Sequence, residues 1–253
     1  HLFAAPVSDP EAEDGSVLTV GGDLLLATNS WIFPYACDTN GASVKFAIEG
    51  DLTIEADSGF NADARGFRWQ QGPGIEEPRF SELGPGLLIR SGSGAGYGGG
   101  GGASWDCTGG RGYGSPATPY LPGSGCPKQY GARGGGAIRL EVAGHAHIDG
   151  TLTAVGAVGN SHSIDGSGSG GAVWLQCRTF SGAATGLITV PGGNARPNSG
   201  PGGGGRIAVH YDPVPQAMLP VPEIRYSAAA GLRYSTSPIR GAEMGSLYFP
   251  DSL

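Results

Sequence analysis

Apolar residues along this chain fall on alternate positions in short runs rather than at helical spacing. The clearest runs are "VKFAIEGDLTIEAD" (44–57), "AIRLEVAGHAHIDGTLTAV" (137–155), "AVWLQC" (172–177) and "RIAVHY" (206–211). Period-two alternation of this kind marks a strand with one face in a core and the other turned away. No stretch of about 12 residues carries a 3.6-residue apolar period, so few helices are expected.

The runs repeat. "VKFAIEGDLTIEADSGFNADARG" (44–66), "GGGAIRLEVAGHAHIDGTLTAVGAVG" (134–159) and "GGAVWLQCRTFSGAATGLITVPGGNA" (170–195) share one plan, and "GGGGRIAVHYD" (202–212) is a shortened fourth copy. Ile138 to Val173 spans 35 residues and Val173 to Ile207 spans 34, whereas Val44 to Ile138 spans 94 because an insertion over 67–135 interrupts the series. A unit of that size cannot bury its own apolar face, but stacked copies can. The phase predicts Ile138, Leu140 and Val142 stacked over Val173, Leu175 and Cys177, with Ile207 and Val209 over the next position. Arg139, Glu141, Trp174 and Gln176 are then expected to face outward. The reading is one all-β domain over 1–253, a parallel β-helix-like solenoid. Residues 1–43 supply N-terminal strands or a cap, 44–212 the repeat coils, and 213–253 a C-terminal cap and closing strand.

Composition changes this picture in one respect. Glycine and proline number 49 and 19 of 253 residues, a share that alone suggests low complexity, yet 39% of the chain is hydrophobic. Glycine-rich runs ("GARGGGA", "GSGSGGA", "GPGGGGR") precede successive strands at the same phase. They are expected to be glycine-rich turns between coils, or tightly packed extended segments. Gly94, Gly96 and Gly99 match a dinucleotide fingerprint, but no strand–turn–helix context surrounds them. A net charge of −7 with few lysines argues against a nucleic-acid partner, and no apolar run is long enough for membrane insertion as a helix.

Cys107 and Cys126 lie 19 positions apart in the insertion. A disulfide between them would staple a loop that has no core of its own, with free thiols and zinc as the alternatives. Such a bond implies an oxidising, extracytoplasmic setting. Whether Cys37 and Cys177 pair is left open, although Cys177 falls in phase with the core.

The segments "LTIEADSGFNADARGFRWQQGPG", "GSGAGYGGGGG", the 134–159 repeat and "GGGGRIAVHY" resemble the glycine-rich repeats of large bacterial secreted and cell-surface proteins. "GAEMGSLYFPD" is similar to the last strand of such modules. The resemblance covers about residues 44–212 and 241–251. It implies a β-helix or β-solenoid located outside the cell or on its surface, often beside adhesive or polysaccharide-binding domains, and it brings no catalytic motif.

Three groups of residues could carry chemistry. His145, His147 and Asp149 share one face of an extended segment and could offer two imidazoles and a carboxylate to a metal; solvated surface side chains are the simpler expectation. Asp63, Arg65 and Arg68, with Asp57, lie beside Trp69, Tyr97, Trp105, Tyr113 and Tyr120, which could form sugar-stacking platforms along a β-helix. Glu76, Glu77 and Glu82 could help to bind calcium, without the residue order of a known calcium loop. His1 could chelate copper with its own amine, although nothing else resembles such an enzyme. No cofactor is required, and calcium is the one considered. Two functions follow. The first is a secreted or cell-surface structural or adhesive module that could self-associate into fibres. The second is a carbohydrate-active protein that binds extracellular polysaccharide through the insertion. An ice-binding surface would need a threonine ladder that the sequence lacks.

Overall fold

The alternating runs become strands, and the strands follow one another in a fixed rotation. A computed structural model describes residues 2–4, 15–75, 92–104, 107–127, 131–159, 165–233 and 241–250. After β1 (Leu2–Ala4) come four rounds of three strands. They are β2 (Val17–Val20), β3 (Leu24–Leu26) and β4 (Trp31–Pro34); β5 (Lys45–Ile48), β6 (Leu52–Ile54) and β7 (Gly59–Asn61); β8 (Ala137–Val142), β9 (His145–Ile148) and β10 (Thr151–Thr153); and β11 (Ala172–Gln176), β12 (Thr179–Ser181) and β13 (Leu187–Thr189). The last round has β14 (Arg206–His210), a helical turn α1 (Pro213–Gln216) in place of a strand, and β15 (Arg225–Ser227), before β16 (Ser246–Tyr248).

These strands pair in parallel. They make three sheets: sheet 1 in the order β16-β14-β11-β8-β5-β2, sheet 2 in the order β12-β9-β6-β3, and sheet 3 in the order β1-β4-β7-β10-β13-β15. Each round visits sheets 1, 2 and 3 in turn, an order compatible with a β-helix-like architecture. The expected stacking holds: Val173 lies opposite Ile138 and Ile207, and Leu175 opposite Leu140 and Val209. Cys177 is buried in the same core, where desolvation pushes its thiol up to about 12. The inward residues of all three sheets form one core with Phe46, Ile54, Phe60, Ile148, Leu152, Phe180 and Ile188 at its centre. Fully burying one such side chain stabilises by about 1.5–3 kcal/mol.

The N-terminal segment joins the stack through strands. Residues 17–34 form a complete round, with Val17 opposite Lys45 and Leu24 opposite Leu52.

The glycine-rich runs take the second of their two expected forms. They are not turns; they are extended segments bonded side by side. Ser167 donates to Gly200 and Gly170 to Gly203, while Gly168 donates to Ala157 and Gly171 to Ala154. Donors three apart thus reach acceptors three apart on one neighbour, the threefold repeat of polyproline II-type chain. The 166–171 segment also accepts from Ala132, Gly135, Gly193 and Ala95. The segments that leave sheet 3 (62–66, 154–157, 190–195, 228–232) and those that enter sheet 1 (132–136, 166–171, 199–205, 243–245) form two layers. The insertion adds a third through 92–102, 109–113 and 122–126. A glycine here is required by space: a Cβ on Gly171 would lie 2.0 Å from the carbonyl oxygen of Gly136, and one on Gly205 would lie 2.0 Å from that of Gly171.

This bundle explains two departures from the expectation. Arg139 and Trp174 do not face solvent; they are 4% and 5% exposed, because the insertion covers that part of sheet 1. Tyr120 packs edge-on to Trp174 at 5.3 Å and under the Arg139 guanidinium at 4.6 Å. Glu141 and Gln176 lie beyond this cover, half-buried and exposed respectively. The disulfide expected between Cys107 and Cys126 is not found. Both cysteines are buried, and the bonds from Gly101 to Gly110 and from Cys126 to Ala132 help to order the insertion.

Candidate functional site

The outer face of sheet 2 collects the polar side chains of two adjacent strands. Alternation in β9 sends Ala146 and Ile148 into the core and leaves His145 and His147 on the other face. Alternation in β12 buries Phe180 and leaves Thr179 and Ser181 outside. Parallel register then sets His145 opposite Thr179 and His147 opposite Ser181. His145 Nδ1 lies 2.8 Å from Thr179 Oγ1 and its Nε2 lies 2.7 Å from Ser181 Oγ. His147 Nδ1 lies 2.9 Å from the same Ser181 oxygen, and its Nε2 lies 3.0 Å from Asp149 Oδ2. The second carboxylate oxygen of Asp149 accepts from the Ala183 amide at 2.8 Å. That amide bond, helped by His147, holds Asp149 below the usual carboxylate value. Burial holds the His145 ring below the usual histidine value, against the pull of Asp51.

His145, His147 and Asp149 are therefore brought together, as the sequence suggested. Ser181 and Thr179 were missed. The available signal was the repeat interval: His147 to Ser181 is 34 residues, the spacing of successive units. Among the described residues, no group of three or more His, Cys, Asp or Glu converges on a point that could hold a metal ion.

The residues singled out around the insertion are dispersed. Asp63 Oδ1 accepts from the Val155 amide and the Thr153 hydroxyl, both at 2.7 Å, tying one round to the next. Arg65 donates to Asn61 Oδ1 and to the Asp63 carbonyl, and its guanidinium stacks over Phe33 and Tyr35 at 4.8 and 4.9 Å. Arg68 is exposed beside the half-buried Trp69, 5.9 Å from its ring. Asp57 takes a positive φ of 59° at the corner after β6. Trp105, Glu76, Glu77, Glu82 and His1 lie outside the described residues. No helix among the described residues is long and apolar enough to cross a membrane.

Tyr97 is fully buried against Tyr113, with ring centroids 4.7 Å apart, and Tyr113 donates to the Pro122 carbonyl at 2.6 Å. Burial raises both phenols above the usual tyrosine value. Among the described residues the Tyr97 hydroxyl has no hydrogen-bond partner, which leaves its desolvation uncompensated. Tyr97→Phe is expected to stabilise the protein by about 1 kcal/mol, seen as a higher urea midpoint at unchanged slope. A loss of stability would show that the hydroxyl is satisfied.

An open groove of about 500 Å³ crosses the ends of β2, β5, β8 and β11 and is lined by Thr19, Ala47, Glu49, Glu141, Gln176 and Arg178, among others. Glu141 is already paired there with Lys45 at 2.8 Å. No known protein family matches this chain, and no curated protein or solved structure matches it either.

Proposed function

We propose that this chain is a rigid structural module of a secreted or cell-surface protein, a β-solenoid of stacked coils braced along one flank by the glycine bundle. The observation that carries this reading is how carboxylates at the corners of the coils are used. Asp23 Oδ1 accepts from the Asp51 amide, Asp51 Oδ1 from the His145 amide, Glu55 Oε2 from the Thr28 amide and Asp63 Oδ1 from the Val155 amide. The carboxylates join one coil to the next at the corners. A carboxylate so engaged holds successive coils in a fixed arrangement.

The ends of the stack bear on whether the module grows into fibres. Sheet edges invite pairing with another chain. At the C-terminal end the edge of sheet 2 is occupied by α1, whose N-terminus is capped by Asp212. The Gln216 amide accepts from the Phe180 amide at 2.8 Å and donates to the Phe180 carbonyl at 3.0 Å, standing in for a neighbouring strand. Head-to-tail continuation of sheet 2 is thereby obstructed, which favours a single module over a fibre subunit.

Sedimentation velocity combined with negative-stain microscopy tests this reading. The wild type is expected to be monodisperse. Gln216→Ala, which leaves two buried backbone groups of Phe180 unpaired at about 1–3 kcal/mol each, is expected to unfold at lower temperature and to associate. Regular filaments of the wild type would overturn the single-module reading and point to fibres.

A further inference from the structure

We propose that Ser181 is an activated nucleophile, and that the outer face of sheet 2 carries acyl-ester hydrolase chemistry through a Ser181–His147–Asp149 relay. This does not depend on the structural-module reading, because it rests on hydrogen-bond polarity at one face.

The direction of every bond in the network follows from its end. The Asp149 carboxylate can only accept, so His147 Nε2 carries the proton that it receives. With a neutral ring, His147 Nδ1 is then a lone pair, and the Ser181 hydroxyl donates to it. Having spent its proton, Ser181 Oγ must accept from His145, whose Nε2 therefore carries hydrogen. His145 Nδ1 is then bare and accepts from the Thr179 hydroxyl. One orientation satisfies all four contacts, and it places a base lone pair 2.9 Å from a serine hydroxyl. It also puts a carboxylate behind that base at 3.0 Å, and an N–H donor beside the nucleophilic oxygen at 2.7 Å. This is the nucleophile, base and orienter arrangement that acyl transfer needs, recognised by geometry rather than by chain order.

The chemistry balances with water as co-substrate. Ser181 Oγ attacks the carbonyl carbon of an ester while its proton passes to His147 Nδ1, and the C=O electron pair moves to oxygen. His145 Nε2–H, 2.7 Å from Ser181 Oγ, holds the serine oxygen in place for the attack. Collapse breaks the bond to the alkoxy group, which leaves as an alcohol with the proton from His147. Water then attacks the acyl-serine and gives a proton to His147; that proton returns to Ser181 Oγ as the carboxylic acid departs. Asp149 is a positioning residue that fixes the ring and its tautomer. His147 is 40% exposed and Asp149 31%, on a sheet face rather than in an enclosed cavity. The substrate class is therefore a small acyl ester, such as an acetyl group, carried on a molecule that extends past the face.

The test uses the intact chain and a fluorophosphonate probe, with the adduct located by peptide mass mapping and turnover followed on p-nitrophenyl acetate. Labelling of Ser181 is expected, with both labelling and turnover lost in Ser181→Ala. The labelling rate should fall about a hundredfold in His147→Gln. No adduct on Ser181, or a rate unchanged in His147→Gln, would overturn the proposal. Nitrogen NMR of the wild type is a check that needs no variant. Both rings should be protonated at Nε2 and bare at Nδ1, and Asp149→Asn should disturb the His147 tautomer. A proton on His147 Nδ1 in the wild type would equally sink the assignment.

Discussion

Gly168→Ala is expected to cost about 3 kcal/mol or more, a large share of the roughly 5–15 kcal/mol that keeps an ordinary domain folded. A Cβ at this position would stand 1.9 Å from the Arg133 carbonyl oxygen, 2.4 Å from its carbon and 2.9 Å from the Gly134 nitrogen. All three atoms are backbone, so no rotamer change relieves the clash. The segment can move away only by giving up bonds such as Gly168 to Ala157 and Gly193 to Gly168, both 3.0 Å long. The backbone torsion is not the obstacle, since Gly168 does not lie in the left-handed region. Gly22→Ala and Gly241→Ala supply the control: a Cβ there meets nothing within 4 Å, and each change should stay within about 0.5 kcal/mol. Urea denaturation reads all three variants. A Gly168 variant as stable as the Gly22 variant would mean that the bundle is not close-packed.

The same crowding explains what the sequence disclosed and what it concealed. Strands β8, β11 and β14 were legible because a buried face forces period two, and their intervals of 35 and 34 residues repeat the register. The first round was not, because it ends the stack: Val17 and Leu25 are 54% and 59% exposed, which blurs the contrast between its two faces. Yet Gly22-Asp23-Leu24 recurs as Gly50-Asp51-Leu52, and that spacing was available. The outward phase of Arg139 and Trp174 was read correctly, but alternation cannot distinguish solvent from a second layer of chain. Glycine runs such as 202–205 show which residues lack a side chain without showing which backbone each one meets, so the threefold pattern stays hidden until the neighbours are in place. The sheet 2 face was half legible. His145, His147 and Asp149 lie within one strand and its end, whereas Ser181 joins them only through pairing between rounds.

Arg206→Met is expected to cost about 1–3 kcal/mol and to release the insertion. Arg206 is 7% exposed on the outer face of β14, where burial lowers its pKa from the usual arginine value although the group stays charged. Its Nε and Nη2 donate to the Tyr113 carbonyl at 3.0 and 2.7 Å, and its Nη1 donates to Ser246 Oγ at 2.8 Å. The guanidinium also sits 5.5 Å from the Tyr97 ring centroid. One side chain thus fastens β14 to β16 and both to the insertion. Methionine would fill much of the volume while leaving the Tyr113 carbonyl without these donors, so the loss measured is that of the fork rather than of a cavity. Lysine keeps the charge but cannot present three donors in one plane, and Arg206→Lys should recover less than half of the loss. Limited proteolysis separates this local effect from global weakening. Cleavage within 107–127 should appear in Arg206→Met well below its melting temperature, whereas a variant that melts as one unit with the insertion still protected would show that the backbone bonds of the glycine bundle hold the insertion alone.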